Sequence, residues 1–490
     1  MNLNRKPTVA GRKPWLIQRI LNDWFNRLLG AASDRSFSDQ EELYNANNTK
    51  HDYLWNTVGF ASWGMVFPIL TVVATQLVGV EKAGMFSMAF VVGLLLMFVA
   101  NYGMRTFQVS DIEEVHSFAD YQISRVITCV IMIVIGLVYC TLRGYSEEMF
   151  TLSIGVYLYK MIDGLADVYE GRLQQVGKLY LSGISVAVRS ILVIFAFSIS
   201  LLITKNLPIA CVTMAIAAIV SFILVTLPLA LLESPKSRKA SVPLVKNLFI
   251  QCFPVFLAFF MFNIIDAMPK FVMEGALSYD NQLFFNAMYF PAQAILISLQ
   301  FVYRPQLVRM ANLWADKDQR NKFDLLIIVV IAGIVVLTLI MAIFMHYFGI
   351  SLLSFLYGID FEEFRSLIFI MLIVGGVASG IEFLYQSITV MRKQRTVTKL
   401  YFIAFGFSLF IPALLVQYAG LAGVVLSYLI IMSILFVLLI SDYLSIRLGF
   451  IREDSTESPT TRRGRLTKWR ETKERTDRQE ARRYKYRKKK

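Results

Sequence analysis

Runs of about 20 apolar residues recur from Trp55 to Leu448, parted by short polar loops. Each run can cross ~30 Å of hydrocarbon as a helix. Twelve spans are expected, near 55–79, 84–104, 126–142, 150–170, 184–204, 207–232, 247–272, 284–305, 324–348, 366–390, 399–418 and 421–446. The fold class is therefore an all-α polytopic membrane protein. Charged residues make up only 17% of the chain, against about 25% in ordinary soluble domains. A secreted protein, a nucleic-acid-binding domain and a soluble enzyme all fit poorly.

Loop charge sets the expected orientation. Of the 49 Lys and Arg residues, 42 fall on the side that carries both termini. Both termini are therefore expected in the cytoplasm, and the outward loops are short. Residues 1–54 form a cytoplasmic segment. Within it, Trp15–Leu29 places Ile17, Ile20, Leu21, Trp24 and Leu28 on one face, the pattern of a helix lying on the membrane surface. The basic tail, 447–490, carries much of the +14 formal charge and has few apolar residues from Thr456 onward. It is expected to be a disordered arm or surface helix held near anionic lipids. No nucleic-acid partner is expected.

The spans divide into halves of similar length, an N-lobe at 55–232 and a C-lobe at 247–446, with a basic linker at 233–246. Span 2 ends Asn101-Tyr-Gly-Met-Arg105, and span 8 ends Phe301-Val-Tyr-Arg304-Pro305. This echo points to a duplication. Six spans return the chain to its starting side, so the repeats are parallel. Two six-helix lobes around a central cavity is a transporter architecture.

Ionisable groups inside spans are functional candidates, because placing them there costs at least ~2.5–3.5 kcal/mol each on insertion scales. In span 4, Lys160, Asp163, Asp167 and Glu170 follow one another at 3, 4 and 3 residues, one helical stripe continued by Gln174. Asn263, Asp266 and Lys270 share a face of span 7. Asn286, Tyr289, Gln293 and Gln300 do so in span 8, and Ser379, Glu382 and Gln386 in span 10. Arg189 adds a cation in span 5. Local pairing (Lys160 with Asp163, Asp266 with Lys270) is the structural alternative. Together the stripes are expected to line one hydrated cavity, with Lys160, Arg189, Lys270, Arg105 and Arg304 suited to phosphate oxygens.

Other chemistries lack residues. Gly171–Leu179 comes nearest to a Walker A loop, but it has one residue too many and no Ser or Thr after Lys178. The three His residues, 51, 116 and 346, are scattered, and Cys129, Cys140, Cys211 and Cys252 sit in apolar runs. No catalytic group, metal site or cofactor is expected.

The chain resembles the polysaccharide-flippase (Wzx-like) branch of the multidrug/oligosaccharidyl-lipid/polysaccharide exporter superfamily over roughly 52–446. The resemblance rests on Gly103-Met-Arg105, Gln108-Val-Ser-Asp111, Ser117-Phe, Tyr121 and Arg125. It also rests on Tyr159-Lys-Met, Asp163, Asp167-Val-Tyr-Glu-Gly171, Gln175 and Arg189, then on Asp266-Ala-Met-Pro-Lys270, Phe285-Asn286, Pro291 and Tyr303-Arg-Pro305. It implies a V-shaped pair of lobes in a bacterial plasma (inner) membrane, flipping polyprenyl-diphosphate-linked oligosaccharide by alternating access. It further implies partnership with polysaccharide-synthesis enzymes. An inner gate is expected at Arg105, Asp111, Arg125 and Arg304, with Asp111 pairing with basic residues. One departure concerns span 1, which has no carboxylate, so an acidic cation site in the first helix is doubtful.

Three rivals remain: a cation-coupled drug exporter of the same superfamily, a membrane glycan polymerase or ligase, and a scaffold acting through the basic tail.

Overall fold

The computed structural model describes residues 48–111, 114–303, 307–316, 319–391 and 393–456. The expected N-terminal surface helix, most of the basic tail and Arg304 lie outside the described residues. Among the described residues the fold is helical, with no strand beyond one isolated bridge between Glu274 and Leu277.

Twelve long helices follow one another: α1 Asn48–Val78, α2 Val80–Asn101, α3 Phe118–Arg143, α4 Glu147–Gln175, α5 Leu179–Thr204 and α6 Leu207–Leu232, then α7 Val242–Met273, α8 Tyr279–Tyr303, α9 Arg320–Phe344, α10 Arg365–Val390, and α11 and α12 within Gln394–Thr456. Gly420, in a non-helical conformation with φ 54° and ψ −131°, separates the last two. Among the described residues, ten stretches are long and apolar enough to cross a membrane, and the last of them holds both α11 and α12. The chain is thus a multi-pass membrane protein.

α4 is missing from those ten stretches because of its charges. Its packing explains how it is tolerated. No residue between Leu152 and Val176 is exposed. α2, α3, α5 and α6 surround it, so its polar stripe meets protein rather than lipid.

Each half repeats one packing pattern. α1 lies along α5, α2 on α4, and α4 on α6. In the second half α7 meets α11 through Phe262 and Tyr401, α8 meets α10, and α10 meets α12 where Gly380 faces Phe436. α10 is the counterpart of α4, with no exposed residue from Val374 to Met391. Small residues let backbones approach. A Cβ on Gly59 of α1 would fall 2.5 Å from the Gly183 carbonyl oxygen of α5.

The halves meet mainly through α2 with α8 and α2 with α7. The end of the bundle that holds the α2–α3, α4–α5 and α6–α7 connections is called here the basic end. There Tyr102 stacks on Phe256, with ring centroids 4.5 Å apart, and meets Phe249 edge-on. At the opposite end Gly84 abuts the start of α8, where a Cβ would come 1.9 Å from the Tyr279 carbonyl oxygen.

Candidate functional site

The α4 stripe resolves into two charge clusters. The deeper one joins α4 to α5. Asp163 accepts from Lys160 Nζ at 3.1 Å, Arg189 Nε at 2.8 Å and Trp63 Nε1 at 3.1 Å. Arg189 Nη1 reaches Glu170 Oε1 at 2.8 Å, and Ser185 Oγ donates to the same oxygen at 3.0 Å. α6 widens into a π-helical turn over Phe222–Thr226, a distortion that often marks functional positions. It places Thr226 Oγ1 2.7 Å from Ser185 Oγ. Two cations thus face two carboxylates, and all four are buried.

Lys160 is also enclosed by rings. Its Nζ lies 4.4 Å from the Tyr159 centroid, 4.6 Å from Phe90 and 5.0 Å from Trp63. Cation–π attraction replaces part of the hydration this ammonium has lost. Gly93 of α2 leaves room for the lysine stem, since a Cβ there would sit 3.3 Å from Lys160 Cγ.

The second cluster lies at the basic end and gathers three of the expected residues. Asp167 accepts from Arg105 Nη1 at 2.6 Å and from Arg125 Nη2 at 2.7 Å. Arg125 also donates to Asn101 Oδ1 at 2.9 Å and the Ala100 carbonyl at 2.8 Å, and is fully buried. Arg105 keeps 33% of its side chain accessible and donates to Gln174 Oε1 at 3.1 Å. Burial opposes the Arg105 charge, but Asp167 and Glu170 outweigh it and hold its pKa above the ordinary arginine value.

Asp111 departs from expectation. Rather than pairing with a basic gate residue, it caps its own loop, accepting from the backbone N–H of Val115 and His116 at 2.9 Å each, with His116 Nδ1 3.8 Å away. The reason is local. The chain turns at Glu114, with φ 49°, and the N–H groups that follow have no helical partner and take the Asp111 carboxylate instead.

In the second half Asp266 lies 3.4 Å from Lys270 Nζ and accepts from Tyr428. Lys270 sits 5.0 Å from the Tyr289 centroid. Glu382 accepts from Tyr303 at 2.7 Å. Asn263 and Asn286 bond carbonyls of their own helices, Phe259 and Gln282. Gln293 is half-buried. Among the described residues, then, the stripes sort into separate sets of partners. Lys160, Asp163, Glu170 and Arg189 satisfy one another, Arg105, Arg125 and Asp167 form a second set, and Asp266 pairs with Lys270.

Near the end of the second long helix of each half, a donor reaches a carboxylate. In the first half Arg105, beyond the end of α2, ties to Asp167 on α4. In the second, Tyr303, at the end of α8, ties to Glu382 on α10.

Two features escape the sequence reading. Trp63 lends an indole N–H to Asp163 from α1, whose stretch from Trp55 onward carries no acid. Glu274, in the α7–α8 connection, collects three donors from the first half: Arg143 at 2.7 Å, Tyr139 at 2.7 Å and Tyr145 at 2.5 Å. These partners are more than 120 residues apart in the chain, and no local spacing signals the contact.

No protein-family model matches the chain, and no curated protein matches it in sequence. Solved structures do match in shape. An inward-facing multidrug-resistance MATE transporter of the MOP superfamily matches with a TM-score of 0.57 at 15% identity, over 82% of this chain and 100% of the other. A MOP superfamily transporter from Pyrococcus furiosus gives 0.53 at 13%, over 81% and 94%. The bent form of a Vibrio cholerae MATE transporter gives 0.52 at 13%, over 83% and 99%. The chain shares the fold of these transporters.

Proposed function

We propose that the chain is a transporter that carries an anionic lipid-linked glycan, a polyprenyl-diphosphate-linked oligosaccharide, across the membrane by alternating access of its two lobes. The carrying observation is the charge balance at the basic end. Arg105 and Arg125 share the single carboxylate of Asp167. One positive charge is left over, and Arg105 presents it at a part-accessible site. Four cations (Arg105, Arg125, Lys160, Arg189) stand against three carboxylates (Asp163, Asp167, Glu170) in these two clusters. Guanidinium forks suit diphosphate oxygens. A carrier of cationic drugs calls for the opposite excess. The structure from Pyrococcus furiosus is itself described by a binding pocket of reversed polarity that suggests a different function.

In this reading the basic end faces the cytoplasm of a bacterial plasma membrane, the tail rests on anionic lipids, and polysaccharide-synthesis enzymes supply and consume the glycan. The test is translocation of a fluorescent polyprenyl-diphosphate sugar in proteoliposomes. Transfer between leaflets that is lost in Arg105→Ala supports the reading. Efflux of cationic dyes with no lipid transfer overturns it in favour of the drug exporter.

A further inference from the structure

At the end of the bundle opposite the basic end, one carboxylate bridges the two halves. α7 finishes at Met273, and Glu274 follows with only 4% of its side chain accessible. Its Oε2 accepts from Arg143 Nη2 at 2.7 Å, Arg143 Nε at 3.0 Å and Tyr139 at 2.7 Å, and its Oε1 accepts from Tyr145 at 2.5 Å. Every donor comes from the other half. Arg143 ends α3, Gly144 turns the chain with φ 64°, and Tyr145 folds back edge-on to Tyr139, with centroids 6.0 Å apart. Arg143 Nη2 also donates to the Phe271 and Glu274 carbonyls, at 2.9 Å each. It thereby satisfies the frayed end of α7, where carbonyls lack helical partners. Burial, with Tyr139 and Glu274 nearby, raises the Tyr145 phenol pKa, so it stays a neutral donor.

The same end holds further close contacts between the halves. Gly84 touches the start of α8. Thr71 Oγ1 meets the Tyr357 hydroxyl at 3.2 Å, and Gln76 Nε2 donates to the Leu356 carbonyl at 2.9 Å. These contacts are small and uncharged. Glu274 supplies the one charged, multiply bonded link among the described residues there.

We propose that Glu274 is the latch of the outer gate. Clamped by Arg143, Tyr139 and Tyr145, it holds the lobes together on the far side while the basic end admits substrate, and the outward-open state requires the clamp to break. This rests on the transporter reading, and it assigns that cycle a contact that must break between its two states.

The test measures distance, not transport, and uses the full chain in lipid nanodiscs. Spin labels go on Ile203→Cys and Tyr418→Cys, which are 76% and 85% exposed on opposite halves near that end. The four native cysteines are buried. Glu274→Gln and Arg143→Ala should each raise the long-distance population at least ~10-fold. This is set below the roughly 30-fold minimum for removing one partner of a fully buried charged pair, because Arg143 is partly exposed. Tyr145→Phe, which keeps the ring, should give a smaller shift in the same direction. The exchanged pair Arg143→Glu with Glu274→Arg should return the distribution towards wild type. Unchanged distances in both Glu274→Gln and Arg143→Ala overturn the latch. The transport reading fails separately, if wild-type proteoliposomes move no lipid diphosphate.

Discussion

Asp163→Asn should be the most damaging neutral substitution in the first lobe. In the native protein Asp163 Oδ2 is 3.1 Å from Lys160 Nζ, and Oδ1 is 2.8 Å from Arg189 Nε. At an effective dielectric of about 20, each such contact is worth about 5 kcal/mol of gross attraction. Asparagine keeps the shape and can still accept hydrogen bonds, but it cancels the charge. Arg189 would retain Glu170 at 2.8 Å. Lys160 would retain no counter-charge, only rings and an amide oxygen for which Arg189 competes. Leaving one buried charge uncompensated costs about 3–5 kcal/mol. Lys160→Met is different, because Asp163 still holds Arg189 and Trp63, and about 1–3 kcal/mol is expected. The double variant should cost less than the two single changes summed, since a neutral pair needs no counter-ion. The assay is thermal inactivation of the purified protein in detergent, read as half-life at fixed temperature, because unfolding of such proteins is seldom reversible. An Asp163→Asn half-life equal to wild type, or shorter survival for Lys160→Met than for Asp163→Asn, refutes the argument that Asp163 is the hub.

Arg125→Ala should destabilise the protein strongly, because it strips Asn101 Oδ1 and Asp167 of a donor in a buried setting and leaves the Ala100 carbonyl to Thr128 alone. Arg105→Ala should leave the melting temperature within a few degrees of wild type while lowering glycan translocation at least ~10-fold, since Arg125 keeps Asp167 paired. Equal stability loss in the two variants would defeat that contrast. Gly84→Ala should shift the spin-label distances described above towards the open form, because its Cβ would fall 1.9 Å from a backbone oxygen. Unaltered distances would show that the two halves yield there without parting. Ser117→Ala removes the capping box that Ser117 forms with Asp120 at the start of α3. It should cost about 1 kcal/mol, measurable as faster proteolysis of the 111–120 loop.

The number, order and approximate positions of the helices are legible in the sequence because hydrocarbon imposes a strict length on apolar runs. Their ends are less so. α3 begins at Phe118, not 126, because Asp120, Ser124 and Arg125 extend the helix under the cover of other protein elements, where polarity is no barrier. The stripe on α4 was legible from spacing, and so was its need to avoid lipid. Its partition into two clusters was not. That division depends on Arg189 reaching down from α5 and on Arg105 and Arg125 arriving from either side of a loop. Glu274 was illegible for a related reason. In the chain it is simply an acid in a short loop, and only the docking of α3's end beside it makes it a hub.

The placement of charge also argues for which motion is cheap. Within the first half, Asp163, Glu170 and Asp167 tie α1, α3, α4 and α5 to one another, and Arg125 adds Asn101 of α2, through bonds that are buried except at Arg105 and would have to be broken in a largely dry setting. Between the halves the contacts are aromatic stacking at the basic end and one charged clamp at the other. Aromatic faces slide at little cost, worth about 0.5–1.5 kcal/mol beyond their area. Distortion inside a lobe therefore costs several buried ion pairs, whereas rocking one lobe on the other costs Glu274 and a few neutral contacts. Lobes that move as rigid bodies follow from that inequality, and the clamp is the contact through which it is tuned.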